Sequence, residues 1–153
     1  MNISTHCGGF CQTNGYLIET GNGAVAIDAP EGMFHFCKQK GVKPTGLLLT
    51  HQHFDHVEDA ALFHENGIPI YASEPFSRDL QLEGLLRTWG LTIQIEEFPV
   101  EHILATENSP LPLADLEFEF FRQGTRPQIT LFPLQPGTSY HRPDCEPEEC
   151  PGR

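Results

Sequence analysis

Three imidazoles and a carboxylate fall within six residues in the stretch Thr50-His51-Gln52-His53-Phe54-Asp55-His56. Imidazole nitrogen and carboxylate oxygen are the donors a zinc-type ion takes. Alternate residues of an extended segment face the same way, so His51, His53 and Asp55 are expected to project to one side. His56 follows at the mouth of the next helix and turns toward the same cavity. The expectation is a first metal on His51 and His53 and a second on Asp55 and His56. Two ligands per ion are too few, since catalytic zinc takes three protein ligands and a water. The others must come from elsewhere in the chain. One histidine alone would read as a polar surface loop; the full set, behind a buried strand and ahead of a helix, points to metal binding.

The elements around this stretch are legible from periodicity and turn chemistry. Asn14 to Thr20 reads as a strand, Gly21-Asn22-Gly23 as a tight turn and Ala24 to Asp28 as the returning strand, which makes a β-hairpin. Ala29-Pro30 stops that strand. Glu31 to Lys40 reads as a short amphipathic helix with Gly41 as its C-terminal cap. Gly46 to Thr50 is a short apolar strand of the kind buried on both faces. Val57 to Asn66 carries apolar residues at helical spacing and ends at Gly67. Ile68 to Tyr71 is another strand, Glu74 to about Thr88 a helix interrupted at Gly84, and Leu91 to Ile95 alternates as a half-buried strand. Leu116 to Phe121 alternates too. Strand and helix in turn give an α/β layered architecture.

Composition narrows the function. The chain has 153 residues, 39% of them hydrophobic, which suits one globular domain with a core of its own. With 9 basic and 21 acidic residues the formal charge is −12, which argues against a nucleic-acid partner. No run of about eighteen apolar residues is present to cross a membrane, and Met1 to His6 does not resemble a secretory signal. The cysteines are Cys7, Cys11, Cys37, Cys145 and Cys150. An odd count without a signal favours reduced thiols and a cytoplasmic protein. Cys37 reads as a small core residue. Cys7 and Cys11, around Gly8-Gly9-Phe10, offer metal ligands or a redox pair, but their spacing is not that of a zinc knuckle.

The order His-x-His-x-Asp-His at a strand end resembles the metal-binding motif of the metallo-β-lactamase-fold hydrolases. Asn14-Gly15-Tyr16-Leu17-Ile18 is similar to that family's early asparagine-x-tyrosine strand, and Ala26-Ile27-Asp28-Ala29-Pro30 to its second strand ending in aspartate. The best-matching branch is the glyoxalase II-like one, which hydrolyses thioesters such as hydroxyacylglutathione. The resemblance covers roughly residues 1 to 121. It implies the N-terminal portion of the family's αββα sandwich and hydrolysis of a small-molecule thioester or ester. Two Zn2+ ions are implied, with Fe or Mn fitting the same mixed donors. His51 and His53 would hold the first ion and Asp55 and His56 the second. Asp55 would also orient the nucleophile or handle its proton, and Asp28 would support the metal loop from behind. A related scaffold, the persulfide dioxygenase-like one, uses a single iron.

The resemblance stops near Phe121. There the family supplies a third histidine from a Pro-Gly-His turn, where this chain has Arg122-Gln123-Gly124-Thr125-Arg126-Pro127. Residues 122–153 are punctuated by proline without sustained periodicity and read as an irregular, disordered or out-of-frame tail. Codons CGC-CAG-GGC-ACG for Arg122 to Thr125, read two bases later, give CCA-GGG-CAC, the missing Pro-Gly-His. The nucleotide sequence decides whether that shift is real. If the tail is the native one, the chain is either an enzyme completed by other ligands or a non-catalytic remnant. A remnant would leave one face of its sheet without a partner layer. His141, Cys145 and Cys150 are loosely spaced as ligands, and His102 fits a strand edge better than a metal.

Overall fold

Strands follow one another across the main sheet in the order in which they occur in the chain. The computed structural model describes residues 1–104, 111–114, 116–122 and 129–134. The sheet runs β1 (Asn2–Gly8), β2 (Thr13–Glu19), β3 (Ala24–Ile27), β4 (Gly46–Leu48), β5 (Ile70–Ala72), β6 (His102–Ile103). The first three strands pair antiparallel, with Cys7 opposite Asn14 and Tyr16 opposite Ile27. From β3 onward each new strand lies parallel to the last. Parallel neighbours need a crossover. The helices α1 (Met33–Gln39), α2 (Phe54–Val57), α3 (Ala60–Glu65) and α4 (Glu83–Thr88) lie in these connections.

The expected hairpin is the β2–β3 pair, closed where Thr20 N–H donates to the Gly23 carbonyl at 2.8 Å. Helix α1 ends as the sequence implies: Gly41 follows in left-handed backbone and donates to the Lys38 carbonyl. The helical stretch read over Val57 to Asn66 is broken in two. At the break Asp59 N–H donates to the Ala29 carbonyl at 2.9 Å instead of continuing the helix.

Period-two burial sorts the central strands between two cores. Leu17, Ala26, Leu47, Leu49, Ile70 and Ala72 face the helices and pack with Met33, Phe34, Val57, Ala60 and Phe63. Ile18, Val25, Ile27, Leu48 and Tyr71 face the other way. That second face is covered at its centre by Leu113 and Leu116, which come from a second, antiparallel sheet of β7 (Leu111–Leu113), β8 (Leu116–Arg122) and β9 (Ile129–Leu134). Thr20 Oγ1 donates to the Ala114 carbonyl at 2.7 Å and ties the two sheets together. Gly46 is needed at this contact, because a Cβ there would sit 2.9 Å from the Tyr71 ring.

Three expectations change, and one strand is new. Leu91 to Ile95 is not a strand: Leu91, Ile93 and Ile95 press one row of side chains onto the helix-side core, and the place beside β5 is taken by β6. The helix expected from Glu74 begins only at Glu83, because Leu82 adopts a left-handed φ of 60° and the residues before it form successive tight turns. Residues Asn2 to Gly8 form an edge strand that carries no apolar period to announce it. Strand β9 stands at Ile129–Leu134, paired with β8 from Arg122↔Ile129 to Glu117↔Leu134, inside the stretch expected to be irregular. The rest of the 122–153 tail, with the turn at Gln123 to Pro127 and with His141, Cys145 and Cys150, lies outside the described residues.

Candidate metal centre

The loop from Thr50 to Val57 leaves the end of β4 and enters α2, so its side chains gather at the edge where the parallel strands end. Asp28 stands at the equivalent end of β3, buried, with a φ of 56° that an L-residue seldom adopts. Backbone strain of this kind persists only when its surroundings fix it. The surroundings here are extensive. The Asp28 carboxylate accepts from Thr50 N–H at 2.8 Å, from Thr50 Oγ1 at 2.7 Å and from His56 Nδ1 at 2.9 Å. Asp28 N–H in turn donates to the Leu48 carbonyl, and Ala29 N–H to the His56 carbonyl.

This network fixes tautomers. A carboxylate only accepts, so His56 Nδ1 must carry the proton and Nε2 is left with its lone pair. Thr50 spends its one hydroxyl proton on Asp28, so it accepts from His51 Nδ1 at 3.0 Å, and His51 also presents Nε2. His56 Nε2 looks toward Asp55 Oδ2 at 3.5 Å. Asp55 Oδ2 also accepts from Thr13 Oγ1, which brings the start of β2 against the loop. The His51 ring lies 4.4 Å from that of His53 and 4.0 Å from that of His56, centroid to centroid. Three imidazoles therefore share one small volume.

Protonation follows from the same contacts. Burial, reinforced by the neighbouring imidazoles of His56 and His53, pulls His51 down to about 4. It is neutral at pH 7, the state in which imidazole binds a metal. Burial also disfavours the charged form of His56. The hydrogen bond to Asp28 and the charges of Asp28 and Asp55 outweigh burial there and raise its pKa.

The donor set fits a metal ion in kind: three imidazoles, with Nδ1 of His51 and of His56 held from behind, beside a carboxylate. In number it is half a site. Among the described residues no group of three or more His, Cys, Asp or Glu side chains is arranged to hold an ion. The expected pairs, His51 with His53 and Asp55 with His56, are each short of the three protein ligands zinc takes.

Two contributors were not legible in the sequence. Thr13 precedes the hairpin motif and gave no signal. Gln52 lies between two histidines and is buried; its Nε2 donates to the carbonyls of Glu74 at 2.9 Å and Pro75 at 3.0 Å. Only strand alternation, which sends residue 52 away from the histidines, hinted at that role. The remaining described histidines stand apart. His102 is in β6 and stacks on Tyr71, His64 pairs with Glu101 at 2.7 Å, His35 meets Gln39 and His6 stacks on Phe36. Cys7 and Cys11 are exposed, whereas Cys37 is buried and its thiol is pushed up to about 11 by burial and the charge of Asp59.

Comparison with known proteins bears on this geometry. The family model of the metallo-beta-lactamase superfamily matches residues 8–139, past the point where the sequence motifs stop. The probable metallo-hydrolase YqgX of Bacillus subtilis is 30% identical over 101 residues, which cover 61% of this chain and 46% of that protein. The chain thus spans about half the length of that curated relative. Among solved structures, the BLEG-1 B3 metallo-beta-lactamase superposes with a TM-score of 0.69 at 25% identity, covering 86% of this chain and 67% of that one. TTHA1623, solved in a di-iron-bound form, superposes with a TM-score of 0.62 at 31% identity, covering 84% and 66%.

Proposed function

The chain belongs to the metallo-beta-lactamase superfamily, and on that premise we propose that it serves a metal-dependent hydrolase of thioester or ester bonds, of the glyoxalase II-like kind. The observation that carries the proposal is the Asp28 carboxylate, which holds Thr50 and His56 and, through Thr50, His51. Support of this type orients ligating imidazoles and raises their basicity. His51 and His53 would hold one ion, and Asp55 with His56 a second. Bound ions of this class lower the pKa of a coordinated water and polarise a carbonyl oxygen.

The chain's own residues do the rest. Asp28 and Thr50 keep Nε2 of His51 and His56 turned into the site. Asp55, steadied by Thr13 Oγ1, offers a carboxylate beside the His56 ring to receive or direct a proton. Zinc is the default ion for this donor set, with iron and manganese equally compatible. The di-iron form of TTHA1623 supports iron as a serious alternative. A small-molecule substrate and a cytoplasmic setting fit the acidic charge and the reduced thiols. No helix among the described residues is long and apolar enough to cross a membrane.

The test is to load the purified protein with zinc or iron, count bound metal by elemental analysis, and assay a hydroxyacylglutathione thioester beside a β-lactam. Thioester turnover with about two ions bound, lost on chelation and in His53→Ala, is the expected result. Turnover of the β-lactam alone removes the thioester reading. One iron with oxidation of a persulfide sulfur favours the dioxygenase-like relative, and a protein that holds little metal and turns over nothing is a remnant.

A further inference from the structure

The loop that carries the four candidate ligands is fixed at both ends. Thr50 is held by Asp28 through its amide and its hydroxyl, while Phe54 is buried at the start of α2 and His56 returns to Asp28. Its middle is held by Gln52. An amide side chain has two N–H donors and a carbonyl acceptor, and here all are engaged. Nε2 donates to the carbonyls of Glu74 and Pro75 at 2.9 and 3.0 Å, and Oε1 accepts from Ser77 N–H at 3.3 Å. All three partners are main-chain atoms of the short segment 74–77, which follows β5. No other side chain meets that demand: glutamate lacks the donors, asparagine is a methylene short, and lysine and arginine lack the acceptor.

We infer that Gln52 is a positioning residue for the metal centre. It clamps the peptide between His51 and His53 to the 74–77 segment, and so sets the direction in which the two imidazoles face the site. Neighbouring residues of an extended segment point to opposite faces, so a rotation of the backbone at residue 52 swings His51 and His53 together. The rings now stand 4.4 Å apart at an interplanar angle of 80°. The inference rests on the reading that these two histidines hold an ion.

The test compares cobalt(II) binding by the wild type and Gln52→Met, which keeps length and volume and loses all three hydrogen bonds. Cobalt affinity is expected to fall about 10–100-fold, and the visible cobalt spectrum, which reports coordination geometry, to change. Gln52→Asn, a gentler change should the first variant fold poorly, is expected to show the same shift in smaller measure. Leu86→Ala, buried in α4 and without a hydrogen bond to the loop, serves as a control of general destabilisation: its melting temperature should drop while its cobalt spectrum stays that of the wild type. A Gln52→Met protein that melts earlier yet binds cobalt with wild-type affinity and spectrum overturns the inference, because Gln52 would then be a stabilising bracket only. A wild type that binds no cobalt overturns the metal reading, and this inference falls with it.

Discussion

A carboxylate that accepts from a backbone amide, a hydroxyl and an imidazole has no simple substitute. Asp28→Asn keeps the size of Asp28, and asparagine tolerates its left-handed backbone, but one oxygen becomes an N–H2 donor facing groups that already donate. We expect zinc affinity, measured against a competing chelator, to fall about 10–100-fold. Stability to urea should fall by about 1–3 kcal/mol, as for a buried group left unpaired. Unchanged zinc affinity in a folded Asp28→Asn protein would count against Asp28 as the support of the loop. The residue scale is also where the sequence was most and least informative. The run His51 to His56 reads as metal-binding by type and spacing alone. Thr13 and Gln52 do not, because their partners stand 42 and 22 residues away and only the fold brings them together.

Among the described residues, segment 74–90 combines an unpaired buried amide with a left-handed leucine. Gln81 is fully buried, and neither its Nε2 nor its Oε1 has a hydrogen-bond partner. Its neighbour Leu82 sits at a φ of 60°. An unpaired buried amide costs about 1–3 kcal/mol, so Gln81→Leu, close in volume and without polar atoms, is expected to stabilise the protein by about 1–2 kcal/mol in urea denaturation. No gain, or a loss, would show that the amide is satisfied in solution. Sequence reasoning failed over this segment for a physical reason. The alternation of Leu91, Ile93 and Ile95 records a row of side chains laid on a core, and the same pattern arises whether or not the backbone pairs. The helix over Glu74 to Thr88 was over-read because nothing in the residue types reveals a left-handed leucine.

The two sheets meet through few residues. Ile18, Val25, Ile27 and Leu48 on one side press against Leu113 and Leu116 on the other. A chain carrying only the first sheet would leave that face open, as the remnant reading supposed; Leu113 and Leu116 cover its centre. Leu116→Ala is expected to cost about 2–5 kcal/mol in urea denaturation and to raise binding of a hydrophobic dye. A cost near zero would mean that the second sheet does not dock on the first in solution. The layered α/β class and the helix-side core were legible from strand and helix alternation. The docking of the second sheet was not, since it depends on a loop contact, Thr20 with Ala114, between residues 94 positions apart.

The order of strands in the main sheet has a consequence for how the molecule is made. Every strand from β2 to β6 finds its partner in the strand just before it in the chain. A polypeptide leaving the ribosome from its N-terminus therefore always has a finished edge waiting for the next strand. Each addition closes only the connection to the strand just before it, which limits the entropic barrier of each step. The histidine-bearing loop, lying between β4 and β5, is delivered to Asp28 when the first four strands are complete, before the 74–77 segment that secures Gln52 has been synthesised. Assembly of the centre is thus written into the direction of translation: first the carboxylate, then the imidazoles, and last the clamp.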